Sequence, residues 1–136
     1  LSSERGDVLL NHIEIYVSDL AASRRFYEFL LGNLGYEIYQ DWEEGFSFLK
    51  AGTYLVFVQA PDYFLQKGYH RTRIGLNHLA FWIDGPLEEW HQSLLGLGVS
   101  FLYEDRYPYA GGQDSKRLYC LDPDGIKIEL IQKEEY

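Results

Sequence analysis

Cysteine occurs once, at Cys120, and methionine not at all in the 136 residues. A single thiol excludes an intrachain disulfide and a thiolate zinc cluster, and it suits a reducing compartment. Any metal must then be held by His, Asp, Glu, Gln or Tyr. The missing initiator methionine leads us to expect that the sequence starts after the translation start. No apolar run approaches the roughly 20 residues that cross a bilayer. The first ten residues carry Glu4, Arg5 and Asp7 where a leader would be apolar. A soluble, cytoplasmic protein is therefore expected. Basic residues are also scarce, 12 Lys and Arg against 21 Asp and Glu, for a net charge of -9. Without a basic block to displace counterions, nucleic acid and anionic membrane are poor partners. Small molecules and other proteins remain.

What is present is a foldable chain. Hydrophobic residues make up 46%, too many for intrinsic disorder, and at this length one domain is expected. Aromatic residues make up 17%, with Tyr 12, Phe 8 and Trp 3. So many tyrosines imply that several line a pocket or interface where the ring is buried and the hydroxyl paired.

The strongest internal signal is a repeat. Asn11-His12-Ile13-Glu14-Ile15-Tyr16-Val17 resembles Asn77-His78-Leu79-Ala80-Phe81-Trp82-Ile83, about half a chain length later. Each opening strand leads into a helical pattern. In the first half, Ser18 or Asp19 suits the cap, and Leu20, Phe26 or Tyr27, Leu30 and Leu31 form a stripe ending near Gly32 and Gly35. In the second, Pro86 suits the first turn, Leu87, Trp90 and Leu94 share a face, and Gly96 and Gly98 end it. Three extended runs follow each helix: 36–40, 45–50 and 53–59, then 99–104, 116–121 and 126–132. The last two are joined by the Asp122-Pro123-Asp124-Gly125 turn. The unit strand, helix, strand, strand, strand is thus used twice, over about 8–60 and 75–133, in one domain with a linker at 61–74. The connection 105–115 is the expected lid.

Alternation along strands sorts the chemistry. Ile13, Ile15 and Val17 form one face of the first strand, leaving His12, Glu14 and Tyr16 on the other. Ile126, Ile128 and Leu130 do the same in the last strand, leaving Lys127, Glu129 and Ile131 opposite. If the two units close around a hollow, His12, His78 and Glu129 converge, and two imidazoles with a carboxylate are a recognised set for a divalent transition metal. Gln59 is read as standing where Glu129 stands in the other unit, as a weaker fourth ligand. Taken singly these residues say little: a lone His is usually surface or core, and Glu129 alone would be a solvated strand residue. The recurrence of Asn-His raises His12 and His78 above that level. His70 and His91 have no such counterpart and are taken as structural or surface residues.

These features together, with the closing 121–130 segment Leu-Asp-Pro-Asp-Gly-Ile-Lys-Ile-Glu-Leu, resemble the vicinal oxygen chelate superfamily. It contains glyoxalase I, bleomycin-resistance proteins, fosfomycin-modifying enzymes and extradiol dioxygenases. The resemblance covers Asn11 to Gln132 and implies an α+β fold in which two βαβββ modules form a cup-shaped mixed sheet. It implies a divalent metal (Fe, Mn, Ni, Co or Zn) on His12, His78 and Glu129, with Gln59 at the fourth family position, gripping two neighbouring oxygens of a small substrate. The implied chemistry is that of a lyase, isomerase or dioxygenase.

The glyoxalase-type reaction commonly uses a glutamate base at the first-unit position read here as Gln59, which cannot accept a proton. Glu14, sharing the face of His12, is the substitute candidate. Fosfomycin-modifying enzymes usually end in a basic tail, whereas 132–136 is acidic. Extradiol dioxygenases add a His and a Tyr near the substrate, for which Tyr16, Tyr103, Tyr107, Tyr109 and His70 are available. Glu14 and Tyr109 are carried forward as candidate catalytic residues. The alternative is a metal-free, bleomycin-resistance-like protein that sequesters an aromatic small molecule. A homodimer is expected, since many relatives form twofold dimers.

Overall fold

The structure, a computed structural model, describes residues 8–112 and 115–133. The chain divides into two compact units, Leu1–Gly68 and Tyr69–Tyr136, and the division falls inside the expected linker.

In the first unit, strand β1 (His12–Val17) is followed by helix α1 (Leu20–Asn33) and strands β2 (Glu37–Trp42), β3 (Gly45–Lys50) and β4 (Thr53–Gln59). They form a four-stranded sheet in the order β1-β4-β3-β2, with β1 parallel to β4 and the other pairs antiparallel. The Asp19 carboxylate accepts from the Ala22 amide and starts α1. Ser23, Phe26, Tyr27, Leu30 and Leu31 are its buried residues, spaced as one helical stripe. Tyr27 stacks on Phe57 with ring centroids 4.0 Å apart, and Phe46 on Phe57 at 5.1 Å. Gly35, at φ +91°, ends the helix, with the Tyr36 amide bonded to the Leu31 carbonyl. Asp62–Leu65, a short helix (α2) within the linker, was not foreseen from the sequence.

The second unit repeats the plan. Strand β5 (His78–Ile83), helix α3 (Leu87–Gly96) and strands β6 (Phe101–Leu102), β7 (Arg117–Leu121) and β8 (Lys127–Gln132) form a sheet in the order β5-β8-β7-β6, with β5 parallel to β8. Gly98, at φ +77°, ends α3 as Gly35 ends α1, and the Val99 amide bonds the Leu94 carbonyl. Leu87, Leu94, Leu118, Ile128 and Leu130 are in its core. Two differences from expectation have local causes. Pro86 is the cap residue rather than part of the first turn. The expected strand 99–104 is only two residues long, because Tyr103 turns to φ +60° and Glu104–Arg106 form a 3-10 turn.

One feature of both units is a glutamine from the last strand that caps the helix. Gln59 Oε1 accepts from the Leu20 amide at 2.9 Å, and Gln132 Oε1 from the Leu87 amide at 3.0 Å. The strand registers agree: Val17 pairs with Gln59 and Ile83 with Gln132.

Candidate functional site

The alternation expected for β1 is observed. Ile15 and Val17 are buried, whereas His12, Glu14 and Tyr16 are exposed on the opposite face. In β8 the other face carries Glu129, which is nevertheless only 5% exposed. Burying a carboxylate requires partners, and the second unit supplies three. His78 Nε2 lies 3.4 Å from Glu129 Oε1, and Arg117 Nη1 donates to Glu129 Oε2 at 3.0 Å. The Tyr119 hydroxyl is bonded into the same group. Burial first, and then the Glu129 charge, push the Tyr119 phenol above its ordinary range, so it is protonated at neutral pH and is a hydrogen donor.

The tight turn at 122–125 creates this grouping. Asp122 Oδ1 accepts from the amides of Asp124 and Ile126, and Gly125 takes φ +86°. The turn sets Tyr119 directly opposite Glu129 and Arg117 opposite Ile131. The motif that carries the family resemblance is thus a structural device that aims residues further along the hairpin. Arg117 is held in turn: its Nε donates to Ser115 Oγ at 3.0 Å and its amide to the Pro108 carbonyl at 2.9 Å. Gly111 packs against it so closely that a Cβ there would meet Arg117 Cδ at 2.5 Å and the Tyr119 hydroxyl at 2.9 Å.

The Asn-His pairs have a common geometry. His12 Nδ1 lies 2.7 Å from Asn11 Oδ1, and His78 Nδ1 lies 2.7 Å from Asn77 Oδ1. An amide oxygen only accepts, so Nδ1 donates to it and Nε2 is the nitrogen each ring leaves for another partner. That is the arrangement in which imidazole ligates a metal, with the second nitrogen held by an oxygen of the protein. His12 also stacks on Tyr54, its neighbour in the parallel register, at 4.6 Å. Within the second unit His78 and Glu129 stand together, whereas His12 belongs to the first unit, and no group of three or more His, Cys, Asp or Glu that could hold a metal is assembled among the described residues.

Gln59 stands differently from the expectation. Besides capping α1, its amide nitrogen donates to the carbonyls of Ser18 and Ala60, at 2.8 and 3.2 Å. The registers match Gln59 to Gln132, and they match Glu129, paired with Ala80, to Val56, paired with Glu14. Counting residues from the histidines misplaced the correspondence, because the segments between the strands of the two units differ in length. Glu14 is exposed, and among the described residues it makes no hydrogen bond or ion pair. Tyr109, 46% exposed, lies in the turn after Arg106 and donates its amide to the Arg106 carbonyl. Its hydrogen bonds among the described residues do not reach the Glu129 group. The described part of the 105–115 connection is anchored by Tyr107, which stacks on His91 at 4.7 Å. His91 is structural, as expected. Cys120 is fully buried, and desolvation first pushes its thiol up to about 12, which makes it inert as a nucleophile.

Arg117, Tyr119 and the role of the asparagines escaped the sequence reading. The first two were accessible in principle, since a tight turn at 122–125 fixes which β7 residues oppose Glu129.

The family profile described as the Glyoxalase/Bleomycin resistance protein/Dioxygenase superfamily matches residues 9–130. The chain belongs to this superfamily. Within it, the chain is 49% identical over 124 residues to the uncharacterized protein YqjT of Bacillus subtilis, covering 90% of this chain and 97% of that one. It is 31% identical over 122 residues to the metallothiol transferase FosB of Staphylococcus saprophyticus, covering 89% of this chain and 74% of that one. A crystal structure of a candidate glyoxalase from Bacillus halodurans superposes with a TM-score of 0.90 at 45% identity, covering 93% of this chain and 97% of that one. The two four-stranded mixed sheets with their helices are the superfamily's α+β architecture. No helix among the described residues is long and apolar enough to cross a membrane.

Proposed function

We propose that this chain is a metal-dependent enzyme in which His12, His78 and Glu129 hold a divalent cation, and that a small substrate is gripped there through two neighbouring oxygens. The observation that carries the reading is the matched pair of asparagine-held imidazoles, one of them 3.4 Å from a buried carboxylate. Iron, manganese, nickel, cobalt and zinc all suit such a set. A bound cation would supply stabilisation of negative charge developing on a substrate oxygen. The chain's own residues do the remainder. Asn11 and Asn77 hold the rings, and the protonated Tyr119 is a donor next to the carboxylate.

Among reaction classes, addition of a nucleophile to a polarised substrate is favoured over isomerisation, lyase and dioxygenase chemistry. The first-unit counterpart of Glu129 is Val56, so no carboxylate stands there to shuttle a proton, and a metallothiol transferase is among the relatives. Glu14, alongside Val56 in the register, is the remaining candidate base. Tyr109 is kept as a substrate-facing candidate on the connection before β7. The reading includes a homodimer, checked by the scattering mass.

A second reading, a metal-free binder of aromatic molecules, draws on the first unit. There Tyr16, Tyr39 and Trp42 are exposed, and Tyr39 packs on Tyr54 at 5.0 Å. Calorimetric titration with manganese, zinc, nickel and ferrous iron separates the two. One cation per site in the wild type, lost in His78→Ala, is the expected result. No binding by either protein would leave the sequestering role.

A further inference from the structure

Glu129 is nearly inaccessible and is charge-paired within its own unit. Its Oε2 is occupied by the Arg117 guanidinium at 3.0 Å, while Oε1 is turned to His78 at 3.4 Å. The two oxygens of one carboxylate are thus divided between a fixed cation and the imidazole edge. Arg117 is also fastened where it stands, by Ser115, by the Pro108 carbonyl and by the backbone of Gly111. Lys127, on the same face of β8, does not substitute for it: its ammonium lies 5.5 and 5.6 Å from the Tyr103 and Tyr119 ring centroids and reaches the Tyr103 hydroxyl at 3.4 Å.

We propose that Arg117 is a built-in counter-ion for Glu129 that competes with the divalent metal for the same carboxylate, holding the site assembled when empty and keeping its metal affinity low. This positioning role rests on the metal reading above. A neutral hydrogen-bond donor on a ligating carboxylate orients it and leaves its charge in place. A guanidinium does the reverse, withdrawing charge from the carboxylate and repelling the incoming cation. It also leaves only Oε1 available, so Glu129 is confined to single-oxygen ligation. Without the guanidinium, the buried carboxylate of the empty site has no full counter-charge, and that state is destabilised.

The test compares wild type, Arg117→Met and Arg117→Lys, each stripped of metal. Two quantities are read: the midpoint of thermal unfolding without metal, and the affinity for manganese and zinc by calorimetry. Arg117→Met is expected to unfold at lower temperature when metal-free and to bind metal about tenfold more tightly, the gain from removing a like charge beside the cation. Arg117→Lys, which keeps the charge, should retain the weak wild-type affinity and covers the case in which the Met variant fails to fold. Unchanged or weaker metal binding in Arg117→Met, or metal binding tightened equally by Arg117→Lys, would overturn the competition. If wild type and all variants bind no metal, the metal reading itself falls and the competition with it. That outcome is distinct from a wild type that binds and a Met variant that binds no better.

Discussion

Asn11 and Asn77 decide which nitrogen of each imidazole is available, and they do so with a side chain that carries no charge. With Nδ1 bonded to an amide oxygen at 2.7 Å in both units, Nε2 is the nitrogen left for another partner. Asn77→Leu removes the acceptor, and metal affinity should fall about 10–100-fold. Asn77→Asp, which keeps an acceptor, should retain binding. The nitrogen chemical shifts of His78 in the metal-free protein give an independent reading: one tautomer in the wild type, a mixture in Asn77→Leu. Identical shifts in the two would show that the asparagine does not hold the ring. Gly111 acts at the same scale, because a Cβ there would displace the ends of the Arg117 and Tyr119 side chains from their present places.

At the scale of elements, the glutamine caps separate structural from functional polar residues. Gln59→Leu removes the acceptor for the Leu20 amide and should cost about 1 kcal/mol of stability, in the range of a lost helix cap. Metal affinity should be unchanged. Loss of metal with unchanged stability would instead make Gln59 a ligand. Denaturant titration and calorimetry on one preparation measure both. The sequence reading went astray here for a physical reason. Strands, helix stripes and the 122–125 turn are written in local periodicity, and β1, α1, β3 and β4 were placed within a residue or two. Side-chain correspondence between units is set by register, which includes the lengths of the intervening connections. Counting from His12 and His78 therefore matched Gln59 to Glu129, where the sheets match it to Gln132. The short β6 was likewise hidden, since nothing in Phe101-Leu102-Tyr103 announces a left-handed Tyr103. The face shared by Arg117, Tyr119 and Glu129 was derivable once the turn was counted through.

For the whole molecule, one βαβββ plan appears twice with the same helix caps, helix ends and asparagine-held histidine. The two copies then diverge at one decisive position, Glu129 against Val56. On the proposed reading the two copies contribute two imidazoles and one carboxylate, a set that would leave several positions on a divalent cation for substrate or water. X-ray absorption spectroscopy of the protein loaded with one zinc or nickel per chain tests this assignment most directly. The account predicts a first shell of nitrogen and oxygen with two imidazoles, reduced to one in either His12→Ala or His78→Ala. A sulfur scatterer, a single imidazole in the wild type, or a spectrum indifferent to His12→Ala would contradict it.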